Sequence, residues 1–184
     1  MFGKSPLLRL SSPRCTRPPG ALGNPLVVCF GDGAFPAFNG ATYLQWQISC
    51  THGLGECGHD YDANLLLAKA RVTPLAGYTI PRSELSGTVL QTRLGLTAVK
   101  ALQSEQSLAP RGAVILSDSK CSISSVDTTS RVLNHYFIIY WLRQHDRDEE
   151  ALPCRRYLSG EDNPADLGTR GHVKVDDLGP GSFW

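Results

Sequence analysis

An uncharged apolar run near the start of the chain predicts the first strand. Residues 26–30, Leu-Val-Val-Cys-Phe, have the β-branched and aromatic content of a strand that is buried on both faces. The run ends in Gly-Asp-Gly, which leaves the carboxylate of Asp32 between two residues without side chains. We expect Gly31 and Gly33 to let a bulky ligand, such as a nucleic-acid backbone, approach Asp32 closely. A simple tight turn is the alternative interpretation.

Two further strands follow in the next forty or so residues. Asn39-Gly40 is a tight-turn signal, and the alternating residues 41–49 after it predict a hairpin with the first strand. The polar, glycine-rich residues 50–64 predict a loop. Residues 65–72 predict a third strand, with Lys69 and Arg71 on one face. We expect these three strands to be antiparallel.

A helical pattern starts at Thr79-Ile80-Pro81, where the threonine offers a cap and the proline occupies the first turn. Apolar residues at helical spacing continue to Leu102 and predict a broad core face. A second stripe on the same helix is headed by Glu84 and is otherwise polar or small. Such a stripe is either a solvated face or the lining of a polar groove.

A second apolar run, residues 113–116, also ends at an acid, Asp118. It predicts a fourth strand with the same design as the first. The remaining pattern predicts helices over residues 119–126 and 131–144, a strand over 153–158, and a helix over 164–169 that Asp162 or Asn163 caps. The expected order of elements is therefore β-β-β-α-β-α-α-β-α.

Composition and charge indicate one intracellular domain of ordinary size. The chain has 184 residues, with 18 Lys plus Arg against 17 Asp plus Glu, so any anionic ligand must be held by local charge. No apolar run approaches the roughly 20 residues of a membrane span, and the first residues do not form a signal peptide. The six cysteines are scattered and are expected to be reduced.

Four acids from four different predicted elements are candidates for one site: Asp32, Glu84, Asp118 and Asp166. Ligand sites of open α/β sheets lie where strand ends meet helix starts, so these acids are expected to share one location. Carboxylates without His or Cys suit Mg²⁺ or Mn²⁺ rather than zinc. Two such ions about 3.5–4 Å apart can support phosphodiester hydrolysis. From the residues alone, Asp162 competes with Asp166, and solvated acids at strand ends remain the alternative.

Several blocks of sequence, which cover nearly the whole chain, carry a resemblance to a known family. They are R-P-P-G-A-L-G-N-P (17–25), G-D-G-A-F (31–35), A-K-A-R-V-T-P-L (68–75), I-P-R-S-E-L-S-G (80–87), S-D-S-K (117–120), E-D-N-P-A-D-L-G-T-R-G (161–171) and D-L-G-P-G-S-F-W (177–184). In this order the chain resembles the ribonuclease H domain of the Pol polyprotein of BEL/Pao-type LTR retrotransposons. The combination of I-P-R-x-E-L with N-P-A-D-L-x-T-R-G is the specific part of the resemblance.

The resemblance implies a ribonuclease H-like α/β fold, in which three antiparallel strands and two further strands form a five-stranded mixed sheet flanked by helices. It implies that the four acids are catalytic and bind two Mg²⁺ ions, which Mn²⁺ can replace. The implied reaction cleaves the RNA strand of an RNA/DNA hybrid during reverse transcription, with the upstream reverse transcriptase region as a partner. The implied location is the cytoplasm, within a retrotransposon particle.

The domain boundaries follow from composition and from this resemblance. Residues 1–24 are basic and rich in proline and glycine, which predicts a linker. Residues 25–171 would form the ribonuclease H-like domain, and residues 172–184 a tail that leads toward the next polyprotein region.

Basic and polar residues around the four acids are the candidates for binding the hybrid. RNA would be selected through its 2′-hydroxyls and the A-like groove rather than by base reading. The candidates are Lys69, Arg71, Thr88, Gln91, Lys120, Arg155, Arg156 and Arg170.

Other functions remain open at this stage. The principal alternative is a ribonuclease H-fold domain without catalysis, which binds nucleic acid or connects regions of a decayed or domesticated element. A weaker one is a Pao-type aspartic peptidase region, because Asp127-Thr128-Thr129 resembles the Asp-Thr-Gly of those enzymes without its glycine. Residues that could form a zinc site are Cys50, His52, Cys57 and His59. The glycines at 53, 55 and 58 match a dinucleotide-binding fingerprint, but no helix is predicted after them.

Overall fold

Five strands and two α-helices make up most of the computed structural model, which describes residues 16–49, 60–74, 78–105, 108–127 and 154–169. The strands are β1 (Ala21–Gly33), β2 (Ala37–Ile48), β3 (Asp60–Val72), β4 (Gly112–Ser117) and β5 (Cys154–Tyr157), and the helices are α1 (Ile80–Gln103) and α2 (Lys120–Asp127). They form one mixed sheet in the order β3-β2-β1-β4-β5. The predicted fold class is confirmed.

Strand pairing places β1 at the centre of the sheet. It is antiparallel to β2, which is antiparallel to β3, and it is parallel to β4, which is parallel to β5. Parallel neighbours require a crossover connection, and α1 provides it between β3 and β4. The carboxyl ends of β1 and β4 therefore lie side by side.

The structure differs from the sequence prediction at the first hairpin. Asn39 and Gly40 lie inside β2, where they pair with Asp32 and Gly31. The turn lies earlier, where the backbone N–H of Ala34 donates to the carbonyl of Ala37 at 2.9 Å. The hydrogen bonds of a long antiparallel ladder outweigh the local turn preference of Asn-Gly.

Strands β3 and β1 also begin earlier in the chain than predicted. β3 begins at Asp60, inside the predicted loop 50–64, because its residues pair with the end of β2. β1 begins at Ala21, inside the predicted linker 1–24. The residues just before it pack on Trp46, whose indole Nε1 donates to the carbonyl of Thr16 at 2.6 Å and whose ring lies 5.2 Å from the Arg17 guanidinium.

The hydrophobic core lies between α1 and the sheet. Its buried members come from β1, β2, β4 and α1: Val27, Cys29, Leu44, Trp46, Ala98, Leu102 and Ile115. Helix α1 begins one residue after the predicted cap Thr79, although that side chain makes no capping hydrogen bond, and Pro81 lies in its first turn. No helix in the described ranges is long and apolar enough to cross a membrane.

Two short 3-10 segments follow β5, Gly160–Asp162 and Pro164–Gly168. The second replaces the predicted helix over 164–169 and is called the Asp166 turn below. Asn163 caps it, since its Oδ1 accepts from the Ala165 N–H at 3.1 Å, so the cap is Asn163 and not Asp162. The predicted helix over 131–144, the zinc candidates, the residues of the dinucleotide fingerprint, Arg170 and the tail lie outside the described residues.

Candidate carboxylate site

Asp32 and Asp118 lie at the carboxyl ends of two adjacent parallel strands. Phe30 of β1 pairs with Leu116 of β4, and each acid follows its strand partner by two residues. Side chains alternate along a strand, so these two acids share the sheet face opposite the one that packs against α1. The buried apolar stretch before each acid forms the strand. The position of the acid at the end of that strand then places its carboxylate.

Asp166 completes an acidic group with these two residues. Burial raises the pKa of the Asp118 carboxyl, and the nearby charge of Asp32 raises it further. Hydrogen bonds from its own backbone and from the side chain of Asn163 lower this pKa, and the charge of Asp166 raises it. Three acids from distant parts of the chain therefore interact electrostatically at one corner of the sheet.

Glu84 reaches the same corner from the first turns of α1. Its Oε2 accepts a hydrogen bond of 2.9 Å from the hydroxyl of Ser119, the residue directly after Asp118. The same hydroxyl lies 2.9 Å from Ser122 in α2. Glu84 is thus linked to Asp118 through Ser119, at the same corner of the sheet.

Each of three carboxylates has a neutral hydrogen-bond donor beside it. Thr169 donates to Asp32 through its hydroxyl, Ser119 donates to Glu84, and Asn163 donates to Asp118. Hydrogen bonds of this kind orient a carboxylate, and the one from Asn163 lowers the pKa of Asp118. The sequence analysis did not select Thr169 or Asn163 for this role, although both lie in the N-P-A-D-L-G-T-R-G block that it singled out.

The donor set suits a hard divalent cation, because it is made of carboxylate oxygens in a region of concentrated negative charge. Within the described ranges, however, no three acidic, histidine or cysteine side chains converge closely enough to hold a metal ion. Asp32, Glu84 and Asp118 instead accept hydrogen bonds from Thr169, Ser119 and Asn163, respectively. The residues present fit a magnesium-type ion in chemistry and in charge.

The family to which the chain belongs is decided by a sequence comparison. A family model described as the Pao retrotransposon-like RNaseH-like domain matches residues 9–119, more than half of the chain. The chain belongs to this family. The match includes Asp32, Glu84 and Asp118, whereas Asp166 lies beyond it. No curated protein sequence matches the chain.

Solved structures similar to this RNase H-like domain include other RNase H domains. The N-terminal RNase H domain of Rv2228c from Mycobacterium tuberculosis, solved as a fusion with maltose-binding protein, is 12% identical, with a TM-score of 0.48 over 76% of this chain and 86% of that one. LC11-RNase H1, solved in complex with an RNA/DNA hybrid, is 12% identical, with a TM-score of 0.43 over 78% of this chain and 91% of that one.

The glycines beside Asp32 accommodate α1 rather than a ligand, which corrects the sequence interpretation. A Cβ on Gly33 would collide with the backbone of Ser83, and one on Gly31 would lie 2.5 Å from the side-chain oxygen of Gln91. The helix therefore packs directly on the strand. This close packing brings the first turns of α1, with Glu84, to the end of β1.

Two predicted nucleic-acid contacts of the RNase H-like domain are buried. Thr88 is 2% exposed and its hydroxyl donates to the carbonyl of Glu84 at 3.1 Å, and Gln91 is 0% exposed. Both belong to the polar stripe of α1, which faces the sheet because Gly31 and Gly40 leave room there. Neither side chain can contact DNA in this arrangement, so this part of the prediction is wrong.

The predicted basic contacts fall on different parts of the RNase H-like domain. Lys69 and Arg71 are exposed on the edge strand β3, and Lys69 lies opposite Gly40, on the α1 face of the sheet. The side chain of Asp32 points to the other face. Lys120 and Arg156 are exposed on α2 and β5, beside the acids, and Arg155 is partly buried. Lys120 follows Asp118 by two residues, and Arg156 pairs with Leu116, two residues before that acid.

An exposed aromatic residue next to Lys120 was missed by the sequence analysis. Tyr157 of β5 is 53% exposed and pairs with Ser117, the residue before Asp118. The Lys120 ammonium lies 4.8 Å from the centre of the Tyr157 ring, a cation–π contact. The local signal was weak, because an aromatic residue in a short strand is more often part of the core.

Proposed function

We propose that this domain is a divalent-metal-dependent ribonuclease H, which cleaves the RNA strand of RNA/DNA hybrids during retrotransposon reverse transcription. The observation that carries the proposal is the placement of the acids: Asp32 and Asp118 follow adjacent parallel strands, Thr169 joins the Asp166 turn to Asp32, and Glu84 accepts from the residue after Asp118. Bringing acids from distant parts of the chain close together destabilises the fold, because their negative charges repel one another. A bound cation would offset that cost.

Asp32, Glu84, Asp118 and Asp166 would hold the metal. When bound, two Mg²⁺ ions would activate a water at the phosphodiester and stabilise the departing oxygen. Thr169 and Ser119 orient the Asp32 and Glu84 carboxylates by donating to them. Asn163 has the same relation to Asp118. Because these donors hold the carboxylates in fixed orientations, the site is prepared for a cation before one arrives.

The hybrid would bind beside Asp118, on the surface formed by Lys120 and Tyr157, while Arg156 points to the opposite face of β5. The positive side chain of Lys120 would neutralise backbone phosphates. The exposed Tyr157 ring offers a face on which a base or sugar can pack. Since the net charge of the chain is only +1, phosphate binding depends on such local groups. We also propose that the upstream reverse transcriptase region contributes to hybrid affinity.

The test is cleavage of an RNA/DNA hybrid labelled on its RNA strand, in Mg²⁺, with single-stranded RNA and duplex DNA as substrate controls. We expect the wild-type domain to cut only the RNA of the hybrid, and Asp118→Asn to be inactive. The matched control is Asp162→Asn, which removes an exposed acid of the same chemistry close by. Equal activity in wild type and Asp118→Asn would contradict the proposal.

One observation favours a second candidate function, a hybrid-binding module without catalysis. In the part of the chain that the structure describes, the acids do not converge as metal ligands. This candidate predicts that wild type and Asp118→Asn both bind the hybrid and that neither cleaves it in Mg²⁺ or Mn²⁺. Binding measured by fluorescence anisotropy, on the same samples as the cleavage assay, separates the two functions.

A further inference from the structure

We propose that Asn39 is a positioning residue for Asp166. Its side-chain amide, on β2, holds the Asp166 turn against the sheet beside Asp32. The proposal rests on the nuclease function proposed above where it concerns activity. The contact itself is testable without that function.

The amide of Asn39 joins two parts of the chain that are far apart in sequence. Nδ2 donates to the carbonyl of Ala165, the residue before Asp166, at 2.7 Å across a separation of 126 residues. Asn39 pairs with Asp32 in the β1–β2 ladder, and paired residues point to the same face of the sheet. Asn39 therefore lies beside Asp32 and holds the segment that brings Asp166 to it.

The Asp166 turn is shaped to fit this amide. A Cβ on Gly168 would collide with Nδ2 of Asn39, so only glycine leaves room for the side chain. Asn163 provides a second anchor, since its Nδ2 donates to the carbonyl of Gly31 at 3.2 Å. The turn is thus attached to β1 through Asn163 and to β2 through Asn39.

The burial of Asn39 argues for a positioning role over a packing role. The residue is 7% exposed, and its Oδ1 is buried without a hydrogen-bond partner among the described residues. An unpartnered buried acceptor destabilises a fold, and an apolar side chain of similar size would avoid that cost. What an apolar side chain cannot provide is the bond to Ala165. The donor, and not the volume, explains why an amide fits this position.

The experiment compares Asn39→Leu, which keeps the branched shape of the side chain and removes the donor, with Asn39→Asp, which replaces the donor by an acceptor facing the Ala165 carbonyl. Thr92→Val is the matched control, because it removes a buried hydroxyl bonded to the carbonyl of Thr88 at 2.8 Å, on the other face of the sheet. Three quantities are measured: amide hydrogen exchange, Mn²⁺ affinity by calorimetry, and the kcat and KM of hybrid cleavage.

We expect both Asn39 variants to speed exchange of the Asp166 and Thr169 amides, which bond within the turn, while the amides of β1 and β2 stay protected. Mn²⁺ affinity and kcat should each fall about 10- to 100-fold, the usual effect of removing a partner that orients a ligand, with KM for the hybrid changed less than about twofold. Thr92→Val should change none of these three readouts.

Gly168→Ala tests the same contact from the other side, should the Asn39 variants fail to fold. The new methyl would displace the Asn39 amide and leave β2 unchanged, so the same faster exchange is expected. Unchanged exchange of the Asp166 turn in a folded variant overturns the proposal, as do effects that Thr92→Val reproduces. If the wild type neither binds Mn²⁺ nor cleaves, the nuclease function fails, and hydrogen exchange still decides whether Asn39 holds the turn.

Discussion

Gly87→Ala tests the packing of α1 on Asp32, from which the geometry of the site follows. In an isolated helix this change would stabilise by about 1 kcal/mol. In this fold, a Cβ on Gly87 would lie 2.5 Å from the carbonyl oxygen of Asp32 and 2.8 Å from its carbonyl carbon. These are main-chain atoms of a central strand, which cannot rotate away.

The gain in helix propensity raises the free energy of unfolding, whereas the clash with the main chain of Asp32 lowers it, and the structure shows which effect is larger. Overpacking against a rigid neighbour costs about 1–3 kcal/mol. Subtracting the gain in helix propensity leaves a net loss of about 1 kcal/mol in the free energy of unfolding. Because α1 must move away from β1, Glu84 moves with it, and a displacement of about 1 Å can lower activity roughly 100-fold.

The measurement is urea unfolding of wild type and Gly87→Ala, together with hybrid cleavage. Gly95 offers a matched control in the same helix, because its Cβ would meet a side-chain atom, the Cys29 sulfur, at 2.5 Å. Gly95→Ala should therefore cost less in a Cys29→Ala background, with a coupling energy of about 0.5–3 kcal/mol. A Gly87→Ala protein that is about 1 kcal/mol more stable than wild type, with full cleavage, would refute this packing.

Four further predictions concern single side chains. Burial raises the pKa of Cys29 from 9.0 to about 11, so the stability that its thiol contributes is complete below pH 9 and is lost as the pH rises through 11, a fall of about 3 kcal/mol in urea unfolding that should be smaller in Cys29→Ala. Thr169→Val removes the donor to Asp32 and should lower cleavage about 10- to 100-fold, whereas an unchanged rate would remove this threonine from the site. Tyr157→Ala should weaken hybrid binding by about 1–3 kcal/mol in anisotropy titrations, whatever the base sequence. Lys120→Ala should instead reduce the salt dependence of binding, and unchanged affinity in both variants would exclude this surface.

The amino-acid sequence by itself determined the elements that carry the acids. α1, β4 and the buried part of β1 were predicted to within a few residues, because a buried strand needs an uncharged apolar run and a core-facing helix needs apolar residues at helical spacing. The acids at the ends of these elements follow from the same patterns. Local residues dictate local structure where burial is extensive and the pattern is long.

Only the tertiary structure decided which neighbours those elements have. Asn39-Gly40 favours a turn locally, yet β1 and β3 hold it inside β2 from both sides, because the hydrogen bonds of two ladders outweigh one turn preference. The burial of Gln91 likewise depends on glycines in two strands that no helical pattern reveals. The hydrogen bond from Asn39 to Ala165 joins residues that are 126 positions apart in the sequence, and such contacts arise only when the whole chain has folded.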